Sequence, residues 1–202
     1  MNTQTIAHPK LLHYGLVTAS LDAMIDWYRK VLGMTLNNRL AVPARGQNAP
    51  GFSAFAFVSN DERDHRLVFF EMPGATVDSD RRHHSGLQHV AFEYPTLDDL
   101  LGTYVRLKGL DILPVWVVDH GLATSMYYED PDQNRVELTV NNYSDAWTAT
   151  EFLRNSSSMP APIDPDKLIA ARGTGASPWE LHERASAGEF APERPQDWRP
   201  RF

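Results

Sequence analysis

Two stretches of this chain superimpose without a gap. Leu11–Leu36 reads LLHYGLVTASLDAMIDWYRKVLGMTL and Leu87–Ile112 reads LQHVAFEYPTLDDLLGTYVRLKGLDI. His13 falls on His89, Ser20 on Thr96, Leu21 on Leu97, Asp22 on Asp98, and Met24 on Leu100. Tyr28 falls on Tyr104, Gly33 on Gly109, and Leu36 on Ile112. So many matches in one register make the chain two copies of one structural unit. Whatever fold it adopts must therefore be built twice from the same local pieces.

Each copy opens on a short apolar run rich in β-formers, 11–18 and 87–93, which predicts a strand. Ser20 and Thr96 then stand where a helix N-cap belongs, because their side-chain oxygens can accept backbone N–H groups of the first turn. Asp22 and Asp98 suit the positive end of that helix. Apolar residues follow at helical spacing: Leu21, Met24, Ile25, Tyr28 and Leu32 in one copy, Leu97, Leu100, Leu101 and Tyr104 in the other. Gly33 and Gly109 can supply a left-handed helix end. Further strands are expected near 36–41, 52–58 and 66–71, and near 114–118, 124–128 and 135–140. The Asp130–Asn134 run is a tight turn between the last two.

The expected fold class is thus α+β: two tandem βαβββ modules, about 10–72 and 86–142, whose sheets form a cleft around a metal site. These make one domain over 1–150. Residues 42–51 and 72–86, the latter holding Arg81, Arg82, His83 and His84, read as loops. Beyond Asn142 the pattern stops, and 151–202 reads as an irregular C-terminal extension packed on the core or on a partner subunit. A short helix is expected near 178–187, with Trp179, Phe190, Trp198 and Phe202 as anchors.

Composition narrows the chemistry. The net charge of -7 disfavours a phosphate backbone as partner. The absence of cysteine removes disulfides, zinc ribbons, thiol catalysis and cysteine-held clusters. No apolar run approaches the ~20 residues of a membrane helix. The first ten residues lack an apolar signal core. The expectation is a cytoplasmic protein with no nucleic-acid or membrane partner. There is no phosphate-binding loop, since 172–177 (RGTGAS) lacks a preceding strand and a lysine, and no serine sits in a nucleophile elbow.

His13 and His89 hold one address in the two copies. Glu137 lies among Val136, Leu138 and Thr139 on the last strand of the second copy, where an unpartnered carboxylate is costly to bury. A metal would be its partner, and two imidazoles with one carboxylate make the facial triad of non-haem Fe(II) sites. Taken singly, each has an ordinary reading as a half-buried or water-facing polar side chain; it is the recurrence of the histidines that favours a metal site. His65, His120 and Tyr127 lie near the expected cleft, and by spacing alone are a surface histidine, a turn histidine and a core tyrosine. His8, His83, His84 and His182 read as surface residues, although His83 and His84 are near enough to the second copy's first strand to compete as ligands.

These segments resemble the vicinal-oxygen-chelate superfamily, which includes glyoxalases, antibiotic-binding resistance proteins and type I extradiol dioxygenases. Leu87–Tyr94 is similar to its second metal-binding strand. Tyr127–Glu137 is similar to its tyrosine, Asp-Pro turn and terminal glutamate, with Gln133 where the family usually has glycine. The resemblance covers about residues 10–142.

Within the superfamily the one-domain extradiol dioxygenases are the best match. The resemblance implies His13, His89 and Glu137 as ligands of Fe(II), or of Mn(II) or another divalent metal. It implies His65, His120 and Tyr127 as catalytic residues. It implies a catechol-type substrate and O2 as small-molecule partners, a role in aromatic hydrocarbon catabolism, and a homo-oligomer. Trp116, Phe55 and Met126 are candidates to sandwich the ring, with plain core packing as the competing reading.

Two alternatives stay open. A glyoxalase- or epimerase-like lyase or isomerase using Ni2+, Zn2+ or Mn2+ would need a fourth ligand on the last strand of the first module. There, aligning Arg66 with Arg135 sets Val68 opposite Glu137 and leaves Glu71 facing the other way unless a bulge intervenes. A non-catalytic module that sequesters an aromatic drug would need a cleft and no metal.

Overall fold

The computed structural model describes residues 8–43, 51–78, 83, 85–157 and 159–196. Most of the 42–51 loop, Arg81, Arg82 and His84, and the expected anchors Trp198 and Phe202 lie outside the described residues. The chain divides into two compact units, Met1–Val77 and Asp78–Phe202.

The first unit runs β1 (Tyr14–Thr18), α1 (Leu21–Leu32), β2 (Thr35–Ala41), β3 (Ala54–Ser59) and β4 (Leu67–Glu71). Its sheet has the order β1-β4-β3-β2, with β1 and β4 parallel and the other pairs antiparallel. Helix α1 starts where Ser20 accepts the Ala23 N–H. Its buried face of Leu21, Met24, Tyr28, Val31 and Leu32 covers one face of the sheet, with the Tyr28 ring 5.1 Å from Phe69.

The second unit repeats the plan with β5 (Val90–Glu93), α2 (Leu97–Lys108), β6 (Trp116–Asp119), β7 (Ala123–Glu129) and β8 (Arg135–Asn141), in the order β5-β8-β7-β6. Thr96 caps α2 by accepting the Asp99 N–H. Leu97, Leu100, Leu101, Tyr104 and Leu107 form its buried face. His13 and His89 each stand one residue before their strand rather than inside it, because the ladder begins at Tyr14 and Val90.

The residues after Asn142 are more regular than the sequence suggests. They form α3 (Ala146–Asn155), β9 (Ala161–Pro162), α4 (Pro165–Gly173) and α5 (Pro178–Ser186). β9 pairs with β6 and extends the second sheet to five strands. Gln196 then accepts the Val117 N–H and donates to the Ile163 carbonyl. Caps explain the extra helices: Asp145, Asp164 and Ser177 each accept a first-turn N–H, and α4 and α5 begin with proline. Phe190 is buried, whereas Trp179 remains 45% exposed.

The two equivalent glycines end their helices differently. Gly33 takes the left-handed conformation (φ 66°), and its N–H bonds the Arg29 carbonyl. Gly109 is right-handed (φ -65°), so the expected left-handed glycine is absent there. The turn closes two residues later at Asp111 (φ 59°), with the Ile112 N–H bonded back to the Leu107 carbonyl. Alanine at these equivalent positions should therefore act with opposite sign. Gly33→Ala is expected to lose about 1 kcal/mol or more to left-handed strain. Gly109→Ala is expected to be neutral or to gain up to about 1 kcal/mol. Urea unfolding of both variants checks this, and equal losses would contradict the two backbone conformations.

Candidate metal centre

Strand alternation sorts each sheet into a helix-covered face and a second face. On β8, Val136, Leu138 and Val140 share the face covered by α2, which leaves Arg135, Glu137 and Thr139 on the other. Directly across on β7 stand Glu129, Tyr127 and Ser125. They pair with their partners: the Tyr127 hydroxyl donates to Glu137 Oε1 (2.9 Å), and Ser125 and Thr139 share a hydrogen bond (2.9 Å). Trp116 on β6 stacks on Tyr127 at 4.7 Å. Met126 is fully buried opposite Leu138 and Val117, on the helix-covered face. It therefore packs the core and cannot sandwich a ring beside Tyr127.

Glu137 is only 8% exposed, and each of its oxygens has a partner. Oε1 accepts the Tyr127 hydroxyl, and Oε2 lies 2.9 Å from His89 Nε2. His89 Nδ1 bonds the side-chain oxygen of Gln88, which fixes the N–H on Nδ1 in the neutral ring. Nε2 then carries a lone pair facing a carboxylate oxygen, so a proton or a metal ion must lie between them. Metal–N and metal–O bonds of about 2.0–2.2 Å at a right angle place two donor atoms about 3 Å apart. The pair therefore fits two neighbouring ligands of one ion. Its Nδ1 bond is the kind of support that orients ligating histidines.

His120 completes the second unit's cluster. Its Nε2 lies 3.0 Å from the Tyr127 hydroxyl. Because that hydroxyl donates to Glu137, the His120 Nε2–H is the donor in this bond. Burial lowers the His120 pKa, against the pull of Glu137 and Asp119 and with the push of His89. Burial raises the Tyr127 pKa, and the adjacent Glu137 raises it further, so the hydroxyl stays protonated. The result is a directed chain, His120 to Tyr127 to Glu137.

The first unit gathers a different set. His65 Nδ1 lies 2.7 Å from Asp64 Oδ2, and its Nε2 lies 3.0 Å from His13 Nδ1. With His65 donating to Asp64 and His13 donating to His65, Nε2 of His13 is left with its lone pair. Phe57 packs its ring 5.1 Å from His65. The loop into His65 is tied by Asp61, which accepts from Arg66, the Arg63 N–H and Ser59. The Arg66 bond holds the Asp61 carboxyl at about 2.

Register makes the two units comparable position by position. Ala91 pairs with Glu137 and Gly15 with Val68; Tyr127 pairs with Glu137 and Phe57 with Val68. The first unit thus holds an apolar Phe57–Val68 pair where the second holds Tyr127–Glu137. Glu71 is three residues further along, opposite Thr18, and is already engaged. It accepts the Leu21 N–H at the start of α1 (3.2 Å) and the Ser53 hydroxyl (3.0 Å). Among the described residues, no three His, Asp or Glu side chains gather round one point that an ion could occupy. The structure brings together His89, Glu137, Tyr127 and His120 in one unit, and His13 with His65 in the other.

Sequence reading missed two parts of this picture. His182, read as a surface residue, bonds the buried Asp119 (2.9 Å). Gln133, at the family's glycine position, takes the left-handed conformation (φ 62°). The Asp130 carboxylate holds that turn by accepting the Asp132 and Asn134 N–H groups.

A two-sheet α+β architecture with a His–Glu pair on the face of the second sheet away from α2 defines the class. The chain belongs to the Glyoxalase/Bleomycin resistance protein/Dioxygenase superfamily, whose model matches residues 10–138. Two relatives match nearly the whole chain. Biphenyl-2,3-diol 1,2-dioxygenase 3 of Rhodococcus globerulus is 34% identical over 185 residues, 89% of this chain and 90% of that protein. Biphenyl-2,3-diol 1,2-dioxygenase 2 of the same organism is 32% identical over 193 residues, 94% and 95% of the two chains. Among solved structures, the glyoxylase/bleomycin resistance protein/dioxygenase domain from Frankia sp. EAN1pec shares the fold. Its TM-score is 0.54 at 20% identity, over 67% of this chain and 99% of that one. The Leishmania major glyoxalase I shares it too, with a TM-score of 0.50 at 18% identity, over 73% and 97%.

Gly121, next to His120, has φ +85°, and a Cβ there would run into the Phe152 ring. Gly121→Ala is expected to cost about 2–4 kcal/mol, strain and overpacking together. In a Phe152→Ala background the same change should cost about 1–2 kcal/mol, the backbone strain alone. A double-mutant cycle by urea unfolding measures this; no coupling would remove the Phe152 contact from the account.

Proposed function

We propose that this chain is an extradiol ring-cleaving dioxygenase that acts on a catechol-type aromatic diol. His13, His89 and Glu137 would together hold Fe(II). The observation that carries this reading is the Phe57–Val68 pair at the address of Tyr127–Glu137. It leaves one carboxylate in the ligand set. The fourth ligand of a glyoxalase has no side chain to supply it, since Val68 is apolar and Glu71 caps α1. The two dioxygenase relatives, similar over most of the chain, support the same choice.

When bound, the ion would be chelated by the two diol oxygens, would acidify them and would supply the electronic link between ring and O2. The chain's own residues supply the rest. His65, with Nδ1 held by Asp64, would use Nε2 to take and return a proton once the hydrogen bond it accepts there from His13 opens. The neutral Tyr127 hydroxyl donates to Glu137 Oε1 here, and would turn that hydrogen to a substrate oxygen once Glu137 engages the ion. His120 supports that hydroxyl from behind with its Nε2–H. Trp116 gives an apolar wall beside Tyr127, while Phe55 and Phe57 line the His65 face of the first sheet. Both oxygen atoms enter the ring-opened product, so no outside reductant is needed.

Anaerobic Fe(II) loading followed by 2,3-dihydroxybiphenyl or simple catechols and air should give yellow ring-fission product with stoichiometric O2 uptake. Tight Fe(II) binding without O2 uptake across a broad panel would overturn the reading. His65→Phe should keep its iron at saturating Fe(II) and lose about two orders of magnitude or more in turnover; unchanged turnover would remove His65 from the chemistry. Glu71→Gln should keep full metal stoichiometry and lose about 1 kcal/mol of stability with its helix cap. Lost metal binding in that variant would favour the glyoxalase-like ligand set instead.

A further inference from the structure

His182 lies on α5, far along the chain from every residue assigned above, yet its side chain is 10% exposed and faces a carboxylate that is 1% exposed. Asp119 is the last residue of β6, and His120 follows it directly. A buried carboxylate without partners would be strongly destabilising, and Asp119 is met by His182, Asn142 and the Gly121 N–H, with the Thr124 hydroxyl further off at 3.5 Å. His182 Nδ1 approaches its Oδ2 at 2.9 Å, and Asn142 Nδ2 donates to the same oxygen at 3.2 Å. The Gly121 N–H donates to Oδ1 at 2.6 Å.

Asn142 is fixed in turn. Its oxygen accepts the Thr124 hydroxyl (3.0 Å), and its amide also donates to the Gly121 carbonyl (3.1 Å). Both amide hydrogens are thus used on Asp119 and Gly121, so the 3.1 Å approach of Asn142 to His182 Nδ1 is a contact without a shared proton. The proton between His182 and Asp119 sits on Nδ1. The ring is walled by Trp179 at 5.0 Å and Tyr143 at 6.4 Å. On the other side of the turn Phe152 fills the space where a Gly121 side chain would be.

The residues on either side of His120 are therefore gripped by the C-terminal segment. We propose that His182 is a positioning residue for the candidate site: through the buried Asp119 and Asn142 it fixes the turn between β6 and β7, and so the aim of His120 at the Tyr127 hydroxyl. This rests on the dioxygenase reading only for its effect on turnover. The geometric part stands on this unit alone. The C-terminal extension is then part of the working site through the turn it holds.

The test compares three full-length variants. His182→Phe keeps the volume and removes the donor, His182→Asn restores a donor near the Nδ1 position, and His182→Gln moves it to the Nε2 position. Imidazole nitrogen NMR of the metal-free protein should show His182 as the Nδ1–H tautomer and His120 as the Nε2–H tautomer. In the Phe and Gln variants the His120 signals should shift or split; in the Asn variant they should return. With Fe(II) loaded, kcat should fall about tenfold or more in Phe and Gln, with KM and iron content little changed, and recover in Asn. If the Phe variant does not fold, the Asn–Gln comparison decides alone. Unchanged His120 signals, or shifted signals with wild-type kcat, overturn the proposal. Should the wild-type protein cleave no diol, the dioxygenase reading fails, and the NMR comparison by itself supports or overturns the positioning role.

Discussion

Glu137 is a carboxylate that has given up nearly all its water, and much of the second unit is arranged to make that tolerable. Tyr127 donates a hydrogen bond to it from the facing strand, and His89 sets a ring nitrogen against it from the head of the parallel strand, across the proton or ion the two share. His120 holds Tyr127 in place. Removing any one partner would leave a polar group buried without compensation, at about 1–3 kcal/mol for a neutral donor and more for a charge. A cluster of this kind contributes little to stability compared with apolar packing of equal volume. Its presence is better explained by something it binds.

Duplication supplies the scaffold for this cluster and also a comparison within the molecule. The same register of first and last strand occurs in both units, so a residue's address carries over from one to the other. Asp61 and Asp130 anchor equivalent turns through their carboxylates, and each turn leads into an arginine that starts the last strand's pairing region. The units differ where chemistry is at stake: Phe57–Val68 against Tyr127–Glu137. One copy holds an apolar residue at a position that in the other holds the carboxylate.

The architecture was legible because its signals are local. N-cap side chains at Ser20 and Thr96, the helical spacing after them, and the alternation in the strands each act over a few residues, and all agreed. The helix end at Gly109 was misread because a glycine permits the left-handed turn without requiring it; Asp111, which tolerates that conformation, takes the role instead. The C-terminal segment was read as irregular because its helices are short and held by caps and by pairing with β6. The caps are local, but the pairing is with residues more than forty positions away.

The candidate site was legible to the extent that its residues sit at repeated addresses or in a motif. His13, His89, Tyr127 and Glu137 have that property. Met126 did not separate from Tyr127 in sequence, since neighbours on a strand differ only in the face they present, and alternation placed it in the core. His182 has no local signal at all. A histidine between Leu181 and Glu183 on a nine-residue helix reads as surface until the fold sets Asp119 against it. The missing information is long-range: a buried charge on one element makes a distant, ordinary residue necessary. The carboxylate of Asp119 is therefore to the C-terminal segment what Glu137 is to the sheet face, a group whose burial demands partners and so determines what packs around it.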